Sequence, residues 1–204
     1  MRYSDEEGVL AVQIAREALE ACVEGRSMRS FVVPKTFETK TAAFVTLLNH
    51  RPKDEAERLR GCIGYTEPYF PLLKTVVKCA EGAAQDPRFP PLRPEELAGV
   101  LVEVSLLTTP EELEVKRRRD LPKHIRLGVD GIVVAQGAAR GVFLPEVATE
   151  YHMDAETFLS ECCMNKAGLM PDAWLEESTR VKTFQTEIFE EVEPRGTVVR
   201  RKPS

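Results

Sequence analysis

Chemistry in this chain concentrates first at Leu59-Arg60-Gly61-Cys62-Ile63-Gly64-Tyr65, where two glycines bracket a cysteine and its neighbour inside an extended run. Glycine weakens a strand, so a pair of them marks a bulge or a place where another group comes close. A thiol there is a candidate nucleophile, because the thiolate is the reactive form and a neighbouring cation favours it. Arg60 is such a cation, and it is equally suited to holding an anionic ligand. Two readings stand: a ligand-facing loop with a reactive Cys62, or a bulge carrying a small buried hydrophobe. A thiol nucleophile also needs a base in hydrogen-bond contact. His50 falls beside the preceding turn, away from Cys62, and reads as a solvated turn residue.

The second candidate is Asp86-Pro87-Arg88-Phe89. Proline fixes the turn, so Asp86 and Arg88 hold defined directions. Such a pair binds a polar ligand or pins a loop to the fold, and Asp-Pro is a common turn initiator. The third is Arg140-Gly141-Val142-Phe143-Leu144-Pro145-Glu146, whose Arg140 and Glu146 either face one pocket or are plain surface charges. Cys79, Cys162 and Cys163 lie in helical segments and read as core thiols. Lys166 suits a helix C-terminus. His50, His124 and His152 share no spacing, so no metal is expected. HExxH, CxxC, GxGxxG and phosphate-loop patterns are missing, and no cofactor is expected. Lys116-Arg117-Arg118-Arg119 follows Glu111, Glu112 and Glu114 and reads as a solvated face, with a nucleic-acid patch as the lesser alternative.

The elements that must position these groups are legible in outline. Ser4-Asp5-Glu6-Glu7 has capping-box form, and Leu10, Ile14, Ala18 and Cys22 then recur at helical period until Gly25. Residues 42–48 and 58–65 predict a hairpin about the polar turn at Arg51–Glu55. Pro71 opens a second helix with Leu73, Val76, Val77, Ala80 and Ala84 on one face, and Asp86–Pro91 stops it. Leu101–Leu107 is a strand, and 111–120 is charged and weakly ordered. Residues 131–135 and 141–144 form a second hairpin, Asp154 caps a helix ending at Gly168, and 181–192 alternates as a last strand. Strands and helices do not alternate regularly, and two hairpins appear. The class is therefore α+β with a largely antiparallel sheet.

Composition bounds the rest. In 204 residues, 43 % hydrophobic and 30 % charged, a real core can be buried. The net charge of −5 argues against a nucleic-acid binder, which usually carries a basic domain. No apolar run is long enough to span a membrane. The acidic start, Met1–Glu7, does not read as a secretory signal, and five cysteines is an odd number. A reduced cytoplasmic protein with free thiols is expected.

Together these segments resemble the AMMECR1 family. The matching pieces are Ala-Phe-Val-Thr-Leu at 43–47, Leu-Arg-Gly-Cys-Ile-Gly at 59–64, Ala-Ala-Gln-Asp-Pro-Arg-Phe at 83–89 and Glu-Val-Ser-Leu-Leu at 103–107. Arg-Gly-Val-Phe-Leu-Pro-Glu-Val at 140–147 and Lys-Ala-Gly-Leu at 166–169 with Trp174 complete them. They fall in family order over residues about 8–192, and LRGCIG is the family's hallmark. Two places depart from the pattern: Tyr151-His152, near which many members carry tryptophan, and Glu146, where glutamine is usual.

The resemblance implies one two-lobed α+β domain over 1–193, with a larger antiparallel sheet flanked by helices, a smaller lobe and a cleft between them carrying LRGCIG. A flexible basic tail follows at 194–204. Family members are often encoded with, or fused to, a Memo-like protein and a radical SAM enzyme, the AmmeMemoRadiSam system, so these are the expected partners. No reaction comes with the resemblance. The expected function is an enzyme component acting on a small polar or anionic ligand in that cleft. Cys62 would be nucleophile or substrate-contacting thiol. Arg60, Arg88 and Arg140 would bind anionic groups, Asp86 would orient them, and Gly61 and Gly64 would admit the ligand to the backbone. The alternative is a non-catalytic nucleotide, nucleic-acid or peptide-binding adaptor, and a third reading docks partners through 111–120 or the tail.

Overall fold

The computed structural model describes residues 3–201, which divide into two compact units. The first holds the described residues up to Leu107 together with those from Glu187 onward, and the second is Thr108–Thr186. Lys202–Ser204 lie outside the described residues. No helix among the described residues is long and apolar enough to cross a membrane.

In the first unit, helix α1 (Asp5–Glu24) starts as the capping box requires. Ser4 Oγ accepts from the Glu7 N–H, and the Glu7 carboxylate accepts from the Ser4 N–H. It ends at Gly25, whose φ of 67° is the left-handed cap that glycine adopts without strain. Strands β1 (Ala43–Asn49) and β2 (Leu59–Tyr65) form the expected hairpin, and β3 (Val100–Leu107) pairs with the other side of β1. On β1, Ala43, Val45 and Leu47 are buried while Phe44 and Thr46 are only half-buried. That alternation is the mark of a strand covered on one face.

Helix α2 (Leu72–Ala84) follows Pro71 as expected, but its buried face is rotated. Leu73 and Val77 are only half-buried, and Thr75, Cys79 and Ala83 are buried in their place. Small side chains let the helix backbone approach β2 closely: a β carbon at Gly61 would lie 2.3 Å from the Ala83 carbonyl oxygen. The core joins Val12, Ile14, Leu19, Val45, Leu72, Val102 and Phe189.

The second unit is built on strands β5 (Asp130–Gln136) and β6 (Ala139–Phe143), an antiparallel hairpin turning at Gly137-Ala138, with Gly137 at φ 59°. Helix α3 (Pro145–Glu150) and helix α4 (Ala155–Cys162) follow, the second capped by Asp154 as expected and prolonged by a π turn, Cys163–Ala167, before Gly168. Its core gathers Leu121, Ile132, Phe143, Phe158, Leu159, Cys162 and Trp174, with Phe143 stacked on Phe158 at 5.5 Å.

The long strand β7 (Arg180–Glu191) contributes to both units: its residues to Thr186 belong to the second and the rest to the first. It pairs antiparallel with β5 and with the short β4 (Glu111–Glu112). Two segments are more ordered than the sequence suggests. Residues 111–120 hold β4 and the start of a 3-10 turn, Arg118–His124, anchored by Arg118 on the carbonyls of Trp174 and Thr179. The stretch from Pro194, expected to be a flexible tail, forms β8 (Val198–Arg200), which pairs with the end of β7. Buried carboxylates supply the reason. Arg200 bonds Glu187 at 2.6 Å, and Arg201 bonds Glu103. All these pairings are antiparallel, and the fold is α+β.

Candidate functional site

Strand β2 has β1 on one side only. In the register Cys62 faces Thr46, and the outward N–H and C=O of Cys62 would be open to water or to a foreign strand. The chain closes them itself. Asp86 Oδ2 accepts from the Cys62 N–H at 2.8 Å, and Arg88 Nη2 donates to the Cys62 carbonyl at 3.2 Å. Both residues arrive there because α2 ends at Ala84 while lying tight against Gly61. The glycine of the strand thus sets the position of a loop that begins just after the helix.

Asp86 and Arg88 are also bonded to each other. Arg88 Nε meets Asp86 Oδ1 at 3.0 Å and Nη2 meets Oδ2 at 2.7 Å, a two-pronged pairing, and the Arg88 N–H adds a third bond to Oδ1. The Asp86 side chain is 1 % exposed and that of Arg88 is 56 % exposed. The Arg88 guanidinium, with the two backbone N–H groups, holds the Asp86 carboxyl well below the usual carboxylate range. In return Asp86, and to a smaller degree Cys62, hold the guanidinium above its ordinary value.

Cys62 is half-buried, and its sulfur accepts from Thr46 Oγ1 at 3.3 Å. Thr46 in turn faces Glu103 of β3 in the register, so Cys62, Thr46 and Glu103 form one row across three strands. Gly64 faces Phe44, and a β carbon there would lie 2.1 Å from the Phe44 ring. The space beside each glycine is therefore filled by the protein: by the Ala83 carbonyl at Gly61 and by Phe44 at Gly64.

Arg60 takes a different course. Leu47 pairs with Gly61 but Leu48 pairs with Leu59, which leaves Arg60 as the extra residue of a bulge. Bulges re-aim side chains. Arg60 Nε reaches Glu96 Oε1 at 3.0 Å and Nη2 reaches the Pro90 carbonyl at 2.9 Å, with the residue buried. It ties the 90–96 stretch to the strand. Arg140 is exposed on β6 of the second unit, and Glu146 is exposed on α3. The structure thus gathers Gly61, Cys62, Gly64, Asp86 and Arg88 at one strand, sends Arg60 to Glu96, and places Arg140 in the other unit.

All five cysteines are free. Burial pushes the thiols of Cys79 and Cys162 up to about 12, and that of Cys163 upward, as inert core thiols require. Among the described residues no group of three or more His, Cys, Asp or Glu side chains converges as metal ligands. Sequence reasoning misses Thr46, Glu96 and Glu103. The first had a signal, since a hairpin register places a hydroxyl opposite the cysteine. The other two come from chain segments whose approach no local pattern encodes.

Comparison with known proteins bears on the same segments. A family model described as AMMECR1 matches residues 12–189. Protein MJ0810 of Methanocaldococcus jannaschii is 42% identical, over 97% of this chain and 96% of its own. A protein of Methanothermobacter thermautotrophicus is 48% identical, over 94% of this chain and 99% of its own. The crystal structure of the uncharacterized protein PH0010 from Pyrococcus horikoshii superposes with a TM-score of 0.78 at 41% identity, covering 100% of both chains. None of these names states an activity.

Proposed function

The chain belongs to the AMMECR1 family, and from that premise we propose that it is an enzyme component whose working group is the Cys62 thiol, acting on a small polar or anionic ligand. One observation carries the reading. The backbone of Cys62 is fixed on its outer side by Asp86 and Arg88, while the residue stays half-buried and its sulfur takes a hydroxyl bond from Thr46. A core thiol needs neither feature.

In this reading each group has a task. Asp86 and Arg88 hold the strand still, which keeps the sulfur within a narrow range of positions; fixed geometry of that kind is what a reacting group requires. The Thr46 hydroxyl donates to the sulfur and so holds it in place. Arg88, whose side chain is more than half exposed, offers its remaining donor atoms to an anionic group of the ligand. Gly61 and Gly64 serve packing, and Arg60 serves the loop. A Memo-like protein and a radical SAM enzyme are the proposed partners, on the strength of the resemblance alone, and the setting is cytoplasmic.

The test is alkylation of the native protein as a function of pH, with each cysteine resolved by peptide mass spectrometry. Cys62 is expected to label fastest of the five cysteines. Cys79 and Cys162 should stay protected until the protein unfolds. If Cys62 reacts no faster than half-buried Cys22 at every pH, the thiol is a packing group and the adaptor reading takes its place. Co-purification of the tagged chain with either proposed partner, from cells producing both, tests the association separately.

A further inference from the structure

Within the second unit, the 3-10 turn at Arg118–His124 and the end of the short turn at Ala173–Leu175 border a concavity of about 420 Å³. Arg117, Arg118, Arg119, Asp120, Lys123 and Leu175 line it. Four cations and one carboxylate share this space, in a chain whose overall charge is −5. Like charges so close repel one another, and one carboxylate offsets only part of that.

The arrangement is built rather than scattered. Arg118 is fixed from behind, with Nε and Nη2 on the Trp174 carbonyl at 3.1 and 2.8 Å and Nη2 on the Thr179 carbonyl at 2.6 Å. Asp120 gathers Lys123 at 2.7 Å and Arg117 at 3.0 Å, one on each carboxylate oxygen. These two cations hold it below the usual carboxylate range. Arg119 is exposed, and its side chain makes no hydrogen bond or ion pair among the described residues. The concavity therefore presents fixed guanidinium groups, a net positive charge of about three, and one arginine with all its donors unused.

We propose that this concavity binds the oligophosphate group of a small ligand. Guanidinium forks match pairs of phosphate oxygens, and a di- or triphosphate carries the charge that the site lacks. The volume falls in the range of ordinary small-molecule sites, and Leu175 gives one apolar wall. Free inorganic oligophosphate and a nucleotide share this chemistry. The site is independent of Cys62, and stands or falls apart from the thiol's role.

The experiment is calorimetric titration of the full chain with inorganic tripolyphosphate and with adenosine triphosphate at low and moderate salt. Saturable one-to-one binding is expected, weakening as salt rises. Arg119→Gln, which breaks no bond of the fold, should weaken it at least tenfold with an unchanged melting temperature. Lys53→Gln, an exposed cation elsewhere, should change it less than twofold. Equal affinity for the two probes assigns recognition to the phosphates alone; tighter binding of the nucleotide brings in the apolar wall. The proposal is overturned if no saturable binding occurs at low salt, or if Lys53→Gln weakens it as much as Arg119→Gln. Affinity for single-stranded DNA that climbs with its length, beyond that for tripolyphosphate, also overturns it and makes the patch a nucleic-acid surface.

Discussion

Asp86 closes bonds to the Cys62 N–H, the Arg88 N–H and the Arg88 guanidinium with a carboxylate that is almost wholly buried. Its ionised form is favoured by folding, because the folded value lies below the unfolded value of about 3.9. That contribution is therefore complete above about pH 5 and is lost as pH falls below the unfolded value. Asp86→Asn keeps the shape and removes the charge, so it should cost about 2–3 kcal/mol near neutrality and flatten the acid limb of stability. Urea unfolding of both proteins from pH 7 to pH 3 measures this; parallel acid limbs would show that the pairing does not couple to folding. The two glycines beside it make a sharper comparison. In Gly61→Ala the new methyl meets the backbone carbonyl of Ala83, which moves only with helix α2. In Gly64→Ala it meets the Phe44 ring, a side chain that swings aside. The first should lower stability by about 1–3 kcal/mol, several degrees of melting temperature, and the second by clearly less. Equal losses in a thermal melt would mean that the helix does not depend on the glycine.

Among the elements, helices declare themselves most plainly. The capping box at Ser4 and the period that follows, Pro71 before α2 and Asp154 before α4 are local signals, and the structure has each helix where they point. Hairpins β1–β2 and β5–β6 are legible for the same reason, since strand, turn and strand lie within one short window. Pairings that join distant segments are not. Nothing local says that β3 lies against β1, or that Glu103 and Glu187 wait for arginines near the end of the chain. The rotated face of α2 escapes too, because hydrophobicity marks Leu73 and Val77 while the helix packs through small residues. At the candidate site, Cys62, Asp86 and Arg88 are visible as unusual local sequences. Their contact is not, since it depends on how closely α2 approaches. Strand β8 shows the same limit and gives a test. Ending the chain before Pro194 removes the pairing with β7, the Arg195–Glu20 and Arg200–Glu187 bonds and the partner of Glu103. Two buried carboxylates then each lose an arginine, a loss of about 3–5 kcal/mol. A urea midpoint that shifts by the equivalent of less than about 1 kcal/mol, against the loss such pairs usually carry, would mean that the strand is only laid on.

For the whole molecule the telling feature is the presence of two separate cores. One joins α1, α2 and the β1–β3 strands, and the other joins α4, β5 and β6 around Trp174. A chain organised in this way opens in parts, because local opening follows cooperative units that each hold their own buried contacts. Strand β7 is the opposing influence: it supplies residues to both units in one continuous run. Leu159→Ala decides between these effects. Leu159 is fully buried in the second core, and such a truncation costs about 2–5 kcal/mol. If the units open separately, amides of β5 and β6 should exchange at least about thirtyfold faster than in the parent protein, the rate equivalent of 2 kcal/mol. Amides of β1 and β3 should keep their protection within about threefold by the same conversion. Uniform acceleration in hydrogen exchange would instead make β7 a rigid link and the chain one cooperative body. The separate outcome has a functional sense. The oligophosphate concavity lies wholly in the second unit, and the Cys62 clamp wholly in the first. Occupying the concavity would then slow exchange in β5 and β6 and leave the Cys62 strand unchanged.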